Sequence, residues 1–417
     1  MRVFRTQWPV GQGCFSSGII DAEGEAPIHY VYDCGARNIK HLKPIVSRYA
    51  DQVTRLDALF VSHLDGDHVD GLDTLLATLE PAKVYLPYLD IVDRIAAVME
   101  ADDEGRLTAS FLQAQMDPVG WFGDRGAQTV IFVRNDGDGP EGGFSLPAEG
   151  GDPDRPGGRE QPLCLKIVGA IEAADTGVSS AGRRPQVLEM QVGASVYAER
   201  NGHVEWLLVP FVPVVDPGRL TNFRDAVRVA LGLAVGDTIT AAKVLEKLKD
   251  KDGRANLREC YQEILAGGAG PNHNKISMSL YSGPARSNHG FTRRTSFFWG
   301  RPHFWHGVAE TSLPGWIGTG DAKLKSRRRR TEWASFYRSL APMVGTFVLP
   351  HHGSQANWHR ALLDFIDASL FVAAADEPDE GYEHPSAAVM LDISEAKRAL
   401  AIVTKRPETR LTEVVTS

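Results

Sequence analysis

Two histidines and two aspartates lie within six residues, in the segment His63-Leu64-Asp65-Gly66-Asp67-His68. The segment follows an apolar run, residues 56–61, that predicts a buried strand. Imidazole and carboxylate groups are the ligands that hold divalent metal ions in proteins. Because two crowded carboxylates repel each other unless a cation lies between them, the pattern indicates a metal site. The alternative is a polar loop in which Asp67 or Asp70 caps the next helix, and this explains one aspartate but not the set.

The segment resembles the His-x-Asp-x-Asp-His form of the signature of metallo-β-lactamase-fold hydrolases, most of which have histidine at the second ligand position. The aspartate at that position, Asp65, is similar to the soluble hydrolase domain of ComEC-type competence proteins. Further motifs resemble that branch in the same order, namely VGQG at 10–13 with YDCG at 32–35, WIGTGD at 316–321, LPHHGS at 349–354 and GYEHP at 381–385. The resemblance covers residues 1–90 and 270–400, roughly, and not the middle of the chain.

This resemblance implies an α/β (α+β) fold, the αββα sandwich of the metallo-β-lactamase family with a large insertion, and metal ligands on loops along one sheet edge. It implies one or two divalent ions, Zn²⁺ or Mn²⁺, with Mg²⁺ as a further candidate. An aspartate in place of a histidine makes the site harder and more anionic, which favours Mn²⁺ or Mg²⁺. The implied ligands are His63, Asp65, Asp67, His68, Asp321 and His384.

In the family, Asp321 would bridge two ions and His384 would complete the ligand set of the second ion. His351 and His352 could bind metal or steady a phosphate or leaving group. Two-metal members carry one more histidine before the Gly-Asp motif, a place that His273 or Asn274 could take here.

Catalysis would follow from the metal, because a coordinated water is acidified enough to be hydroxide near neutral pH and can attack a phosphorus or carbonyl centre. Asp67 could orient that water or take its proton, and His352 is a second catalytic candidate. Asp33 and Ser62 are candidates for residues that hydrogen-bond to the metal ligands and orient them.

The elements that must position these residues alternate between strands and helices, which predicts sheets covered by helices. We expect a first half of the hydrolase domain at 1–116, an insertion at 117–270 and a second half at 271–417. The insertion contains a loop rich in glycine, proline and acidic residues at 135–161. Single helices are predicted at 95–116 and 356–366.

Composition is that of a globular enzyme, with 417 residues, 43% hydrophobic and 24% charged, which is enough to bury a large core. No apolar run approaches a membrane span, and no signal sequence begins the chain, so we expect a cytoplasmic protein without a membrane partner. Four scattered cysteines without a CxxC pair argue against a disulfide framework and against a thiolate zinc site.

The net charge of −8 gives no global nucleic-acid footprint. A basic run nevertheless follows Asp321 directly, and it contains Lys323, Lys325, Arg327, Arg328, Arg329 and Arg330. The run could be a solvated helix start, or a cationic rim that attracts a polyanionic substrate to the metal site.

Three functions follow from these observations. A metal-dependent phosphodiesterase, most of all a nuclease whose partner is nucleic acid or another phosphodiester, fits the resemblance and the basic run. A hydrolase of small esters, lactones or phosphoesters fits the same fold. A non-catalytic regulatory subunit, docking on a protein partner through 117–270, is the third.

Overall fold

The computed structural model of the chain describes residues 1–137, 144, 162–173, 184–215, 218, 220–266, 276–285, 290–298, 305–311, 313–376 and 383–417. The candidate ligands His273 and Asn274 lie outside the described residues, as do most of the loop predicted at 135–161 and residues 381–382 of the last motif.

The described residues form one mixed sheet of seventeen strands with helices packed around it, which confirms the prediction of mixed α and β structure. The strands are β1 (Arg2–Gln7), β2 (Phe15–Asp21), β3 (Ile28–Cys34), β4 (Leu56–Phe60), β5 (Pro81–Pro87), β6 (Thr129–Arg134), β7 (Cys164–Glu172), β8 (Gln186–Arg200), β9 (His203–Phe211), β10 (Ser279–Gly283), β11 (Thr292–Phe298), β12 (Trp305–Thr311), β13 (Gly315–Gly318), β14 (Val344–Val348), β15 (Leu370–Ala374), β16 (Ala399–Val403) and β17 (Leu411–Thr416).

The helices are α1 (Ile39–Ala50), α2 (Gly66–Val69), α3 (Leu72–Leu76), α4 (Ile91–Asp103), α5 (Ala109–Met116), α6 (Pro118–Gly123), α7 (Thr221–Ala230), α8 (Ala241–Lys249), α9 (Lys251–Tyr261), α10 (Arg327–Tyr337), α11 (Leu362–Phe365) and α12 (Ala387–Glu395). A π-helical turn continues α9 over Gln262–Ala266, and a short helical turn spans Pro350–Gly353.

The long strand β8 connects two parallel blocks of the sheet. Its first part pairs with β6, in the parallel block β3-β4-β5-β6-β8. Its last part pairs with β9, which leads through β10 to the parallel block β13-β14-β15-β16. Gly193, with a φ of 106°, lies between the two parts, where the chain needs a conformation that other residues rarely adopt.

The two blocks face each other through side chains of β3 and β10. The Tyr30 hydroxyl lies 2.7 Å from Ser282 Oγ, and the Tyr32 hydroxyl donates to the Met278 carbonyl at 2.7 Å. Helices α1 and α3 pack on the other face of the first block, and α10 places Trp333 against Phe347 on the second. Helices therefore pack on both blocks of the sheet.

Parallel strands end at the same edge of a sheet, so the segments that follow neighbouring strands of one block lie together. Segment 62–68 follows β4, Asp321 follows β13 and the His351-His352 pair follows β14. Each lies just beyond the carboxyl end of a buried strand.

The segment 117–270 contributes strands as well as helices. Strands β6 to β9 are hydrogen-bonded into the sheet between β5 and β10, and α7 to α9 form a third apolar core with α4. The predicted insertion therefore contains strands of the main sheet.

Two helix predictions differ from the structure. The helix predicted at 95–116 is divided into α4 and α5, because Gly105 adopts a φ of 69° and the Thr108 hydroxyl caps α5 by accepting from Phe111 N–H at 3.1 Å. Of the helix predicted at 356–366, only the four residues of α11 are α-helical. Among the described residues, none of the helices is both long and apolar enough to cross a membrane.

Asp102, at the end of α4, ties this helix to α9. Its buried carboxylate accepts from Arg254 Nε at 2.9 Å and from Arg258 Nε at 2.7 Å. Burial by itself disfavours the charged carboxylate, but the two guanidinium groups outweigh it and lower the pKa of Asp102.

We predict that Asp102→Asn lowers the free energy of unfolding at pH 7 by about 1–3 kcal/mol. The effect is no larger because both arginines are partly exposed and solvent screens their charges. The pKa of Asp102 is lower in the folded protein than in the unfolded chain, where it is about 4. The stability that ionised Asp102 contributes is therefore fully present above about pH 4 and is lost as pH falls through the folded-state pKa. Urea unfolding of both proteins between pH 7 and pH 3 measures the difference. The control Asp225→Asn, in an exposed ion pair with Arg228, should change stability by less than about 0.5 kcal/mol. A deficit of Asp102→Asn that is the same at every pH would contradict the ionic explanation.

Candidate metal centre

Asp33, at the end of β3, holds the ligand segment in place. It is fully buried, and its φ of 56° turns the carboxylate towards the end of β4. Asp33 Oδ1 accepts from Ser62 N–H at 2.6 Å, and Oδ2 accepts from Ser62 Oγ at 2.7 Å and from His68 Nδ1 at 2.8 Å. Since the carboxylate accepts here, Nδ1 of His68 carries the hydrogen and Nε2 keeps a free lone pair.

The VGQG and YDCG motifs hold the backbone of the same segment. Cys14 N–H donates to the Asp67 carbonyl at 3.2 Å, and Gly71 N–H donates to the Cys34 carbonyl at 2.9 Å. A Cβ on Gly35 would lie 2.3 Å from the carbonyl carbon of His68. Only glycine allows the two backbones to approach so closely.

The interpretation of the segment as a helix cap is not supported by the structure. Asp65 occupies the N-cap position of α2 without a side-chain capping bond, and Gly71 occupies that of α3. Neither Asp67 nor Asp70 is an N-cap residue.

The other buried imidazoles are oriented in the same way as His68. Ser62 Oγ donates to Asp33, so it accepts from His63 Nδ1 at 2.9 Å. The carbonyl of Ala374 accepts from His352 Nδ1 at 2.7 Å. In both rings the hydrogen is therefore on Nδ1, and Nε2 presents a lone pair to the site.

Asp321 reaches the same space from the end of β13. Its N–H donates to Ser277 Oγ at 2.8 Å. The preceding Gly320 has a φ of 49°, and a Cβ there would lie 2.3 Å from Ser277 Oγ and 2.7 Å from Ser62 Cβ. Glycine is required at this position both for the turn and for the contact.

The lone pairs of these groups face one another. His63 Nε2 lies 3.5 Å from Asp65 Oδ2 and 3.5 Å from Asp321 Oδ2, and His68 Nε2 lies 3.4 Å from Asp321 Oδ1. His63 Nε2, His68 Nε2 and Asp321 Oδ1 are buried and have no hydrogen-bond partner among the described residues.

Neutral imidazoles would place buried acceptors against one another, which is costly, so positive charge is needed between them. Around a tetrahedral ion with bonds of about 2.0–2.2 Å, neighbouring ligand atoms lie about 3.3–3.6 Å apart. The observed separations of 3.4 and 3.5 Å fit that spacing. The donor set, imidazole nitrogen with carboxylate oxygen, fits a divalent ion as well.

Two further groups of possible ligands lie within the same cluster of side chains. His63, Asp67 and His68 offer ligand atoms within 4.8 Å of one another, and so do His68, Asp321 and His352. Asp67 Oδ2 lies 3.3 Å from His352 Nε2 and 3.9 Å from His68 Nε2. The protein therefore contains groups that could hold a metal ion.

The electrostatics of the centre show the same concentration of charge. Burial alone would raise the pKa values of Asp67 and Asp321, but the neighbouring imidazoles hold both pKa values below the usual range. Burial opposes the charged form of His68, yet Asp33 and Asp67 raise its pKa well above the ordinary value. For His63, burial and the neighbouring His68 lower the pKa.

His351 and His384 lie at the outer side of the centre. His351 Nε2 is 3.7 Å from Asp321 Oδ2, and its Nδ1 lies 3.2 Å from Asn357 Oδ1. The His384 ring centroid is 5.7 Å from that of His351, and His384 Nδ1 is 3.1 Å from the Glu383 carbonyl. Burial, with His351 and His352, lowers the pKa of His384.

The structure thus brings together the candidate ligands that it describes, with His384 beside His351 and not in the inner group. Sequence reasoning missed Ser277, Asn357 and the carbonyl of Ala374, which orient the ligands. In a single sequence, nothing indicates that a serine or asparagine far from any motif orients a metal ligand. Cys14 was assigned no role, although it forms a further group of possible ligands with Asp33 and His68.

Some cations of the basic run donate to backbone carbonyls, and others are exposed to solvent. Arg329 donates to the Val214 carbonyl, and Arg330 Nη1 donates to the Leu324 and Lys325 carbonyls at 2.9 Å. The exposed cations of the run are Lys325, Arg327 and Arg328.

No protein-family model matches the sequence, and a search of curated proteins found no match. The geometry of the centre therefore carries the functional argument.

We predict that Mn²⁺ or Zn²⁺ raises the melting temperature of chelator-treated wild-type protein. An ion at a hundred times its dissociation constant adds about 2.7 kcal/mol to the free energy of unfolding. Asp321→Asn should lose most of this gain, because it removes charge from between His63 and His68. Asp364→Asn, which changes an exposed carboxylate on α11, should keep it. Differential scanning fluorimetry with each ion measures the gain, and equal gains in the two variants would contradict this site.

Proposed function

We propose that the chain is a metal-dependent hydrolase of the metallo-β-lactamase fold that cleaves phosphodiesters, and that its substrate is nucleic acid. The observation that carries the proposal is the convergence of buried lone pairs on His63, His68 and Asp321, which lack hydrogen-bond partners among the described residues. Imidazoles and carboxylates that crowd together in this way need positive charge between them, which a bound cation supplies.

The family assignment is supported by the layers of the fold and by the motif order. Helices cover both outer faces of two facing sheet blocks, and the ligand segments leave the ends of parallel strands. The motifs that resemble the competence-type hydrolases lie around this one centre. The two oxygens of Asp321 face different histidines, Oδ2 towards His63 and His351 and Oδ1 towards His68, which suits a carboxylate shared by two ions.

When bound, a divalent ion acidifies a coordinated water and polarises the substrate. His63, Asp65, Asp67, His68 and Asp321 would hold it, with His352 beside Asp67. Of the three carboxylates, the Asp67 side chain is the most exposed, at 26% against 17% for Asp65 and 9% for Asp321. It is therefore the carboxylate best placed to orient a water, and its lowered pKa keeps it ionised.

A phosphodiester substrate is supported by the exposed cations that follow Asp321 closely in the chain. Arg327 and Arg328 begin α10, six residues after Asp321, and their side chains are exposed. Cations at this position attract phosphates that flank the scissile one.

We predict that the protein hydrolyses bis-p-nitrophenyl phosphate and DNA or RNA in the presence of Mn²⁺, Mg²⁺ or Zn²⁺. Asp67→Ala and His68→Ala should lower kcat/KM about a hundredfold or more, because a change beyond the ligands already costs about 10–100-fold. Circular dichroism should remain that of the wild type, because Asp33 keeps its two hydrogen bonds from Ser62 when His68 is removed. Assays on single-stranded DNA, double-stranded DNA and RNA identify the substrate.

Two results would redirect the proposal. Turnover of p-nitrophenyl esters without turnover of any phosphodiester would favour the hydrolase of small esters, lactones or phosphoesters. Full activity of both variants would remove the metal centre from the reaction.

We predict that Arg327→Gln with Arg328→Gln weakens the salt dependence of nucleic-acid binding. Each phosphate contact contributes a log–log slope of about −0.7 on single strands, so the slope should fall by up to about 1.4. The matched control is Lys40→Gln with Arg48→Gln, two exposed cations on α1 in the opposite outer layer. Fluorescence anisotropy of labelled single-stranded DNA against salt measures both slopes. An unchanged slope in the Arg327 and Arg328 variant, or an equal fall in the control, would remove these cations from the binding site.

A further inference from the structure

A cavity of about 510 Å³ lies beside the metal centre. It is bounded by β5, β6 and β8, by the start of α4 and by the start of α8. Leu64, next to His63 in the chain, and Leu89 line this cavity, and both also line a smaller one of about 40 Å³ that reaches His63 and Asp65. The volume of the larger cavity is within the range of about 300–1,000 Å³ that is typical of sites for small organic molecules.

The walls of the cavity are mainly apolar. The apolar side chains that line it include Leu86, Tyr88, Met116, Phe132, Val187 and Ile239. Tyr88 and Phe132 meet edge to face, with ring centroids 6.3 Å apart. Such walls favour a ligand with an apolar or aromatic body.

Arg94 is the cation among the described residues that line the cavity. Arg94 lies on α4, and its Nη1 donates to the Gln115 carbonyl at 3.2 Å. Its Nε is buried without a hydrogen-bond partner among the described residues. Burial lowers the pKa of Arg94, whereas Tyr88 and the nearby carboxylates of Asp90, Asp117 and Asp93 raise it.

The acidic residues of the cavity are already engaged elsewhere. Asp90 forms an ion pair with Arg224, and Glu189 Oε2 lies 3.1 Å from Arg134 Nη1. The Asp117 side chain caps α6. Arg94 is therefore the side chain that can attract an anion to the cavity, and a guanidinium binds carboxylate, phosphate or sulfonate.

We propose that this cavity is a binding site for a small organic anion, with its anionic group on Arg94 and its apolar body against Tyr88 and Phe132. The site is separate from the hydrolytic function, because binding requires neither a metal ion nor turnover. It also does not depend on the polyanion surface of Arg327 and Arg328.

Two fluorescent probes test the proposal, since they share a ring system and differ in one anionic group. They are 8-anilinonaphthalene-1-sulfonate and the neutral N-phenyl-1-naphthylamine. We expect the full-length wild-type protein to bind the sulfonate at one site, and more tightly than the neutral probe. Arg94→Gln should weaken sulfonate binding about tenfold or more, the equivalent of one charge-assisted hydrogen bond. The neutral probe should be affected less than about twofold.

Two control variants show whether the probes occupy this cavity. Val187→Trp fills it and should weaken both probes. Arg228→Gln changes another half-buried arginine whose Nε also lacks a partner among the described residues but which does not line the cavity. It should bind both probes as the wild type does.

Unchanged sulfonate binding in Arg94→Gln would overturn the assignment of the anion to Arg94. Unchanged binding of both probes in Val187→Trp would overturn the site itself. If Arg94→Gln does not fold, as judged by circular dichroism, the wild-type comparison decides. Equal affinity for the two probes then contradicts recognition of an anion, and tighter sulfonate binding that Val187→Trp removes supports it.

Discussion

One buried carboxylate organises the metal centre. Asp33 accepts hydrogen bonds from Ser62 and His68, and so it joins the end of β3 to the end of β4 and to α2. A fully buried carboxylate must keep its donors, because leaving it without them in a low-dielectric interior is costly. This requirement fixes the orientation and the tautomer of His68. Through Ser62 it fixes His63 as well.

The same principle recurs around the centre with neutral partners. Ala374 holds Nδ1 of His352 through its carbonyl, and Asn357 lies at Nδ1 of His351. The imidazole rings therefore present Nε2 to the carboxylates. The crowded carboxylates need positive charge beside them, whereas the rest of the ligand loops is well hydrogen-bonded. This is the expected property of a site built to bind a metal ion.

The region without motif resemblance shapes the surroundings of the centre. Phe132, Val187 and Ile239 belong to it, and they line the cavity that Leu64 joins to the metal-site segment. Helix α4 carries Arg94 towards that cavity and Asp102 towards α9. The third core of α4 and α7 to α9 therefore supports a wall of the cavity as well as the fold.

The sequence by itself determined the chemistry of the candidate ligands, because residue types and their spacing around a strand end are local properties. It also predicted mixed α and β structure from local periodicity. It did not show that β1 pairs with β17, or that β8 joins the two blocks, since pairing between distant segments has no local signal. Only the tertiary structure decided which nitrogen of each histidine faces the carboxylates. That choice depends on Asp33, Ser62, Ala374 and Asn357, which come from different parts of the chain and meet only when it is folded.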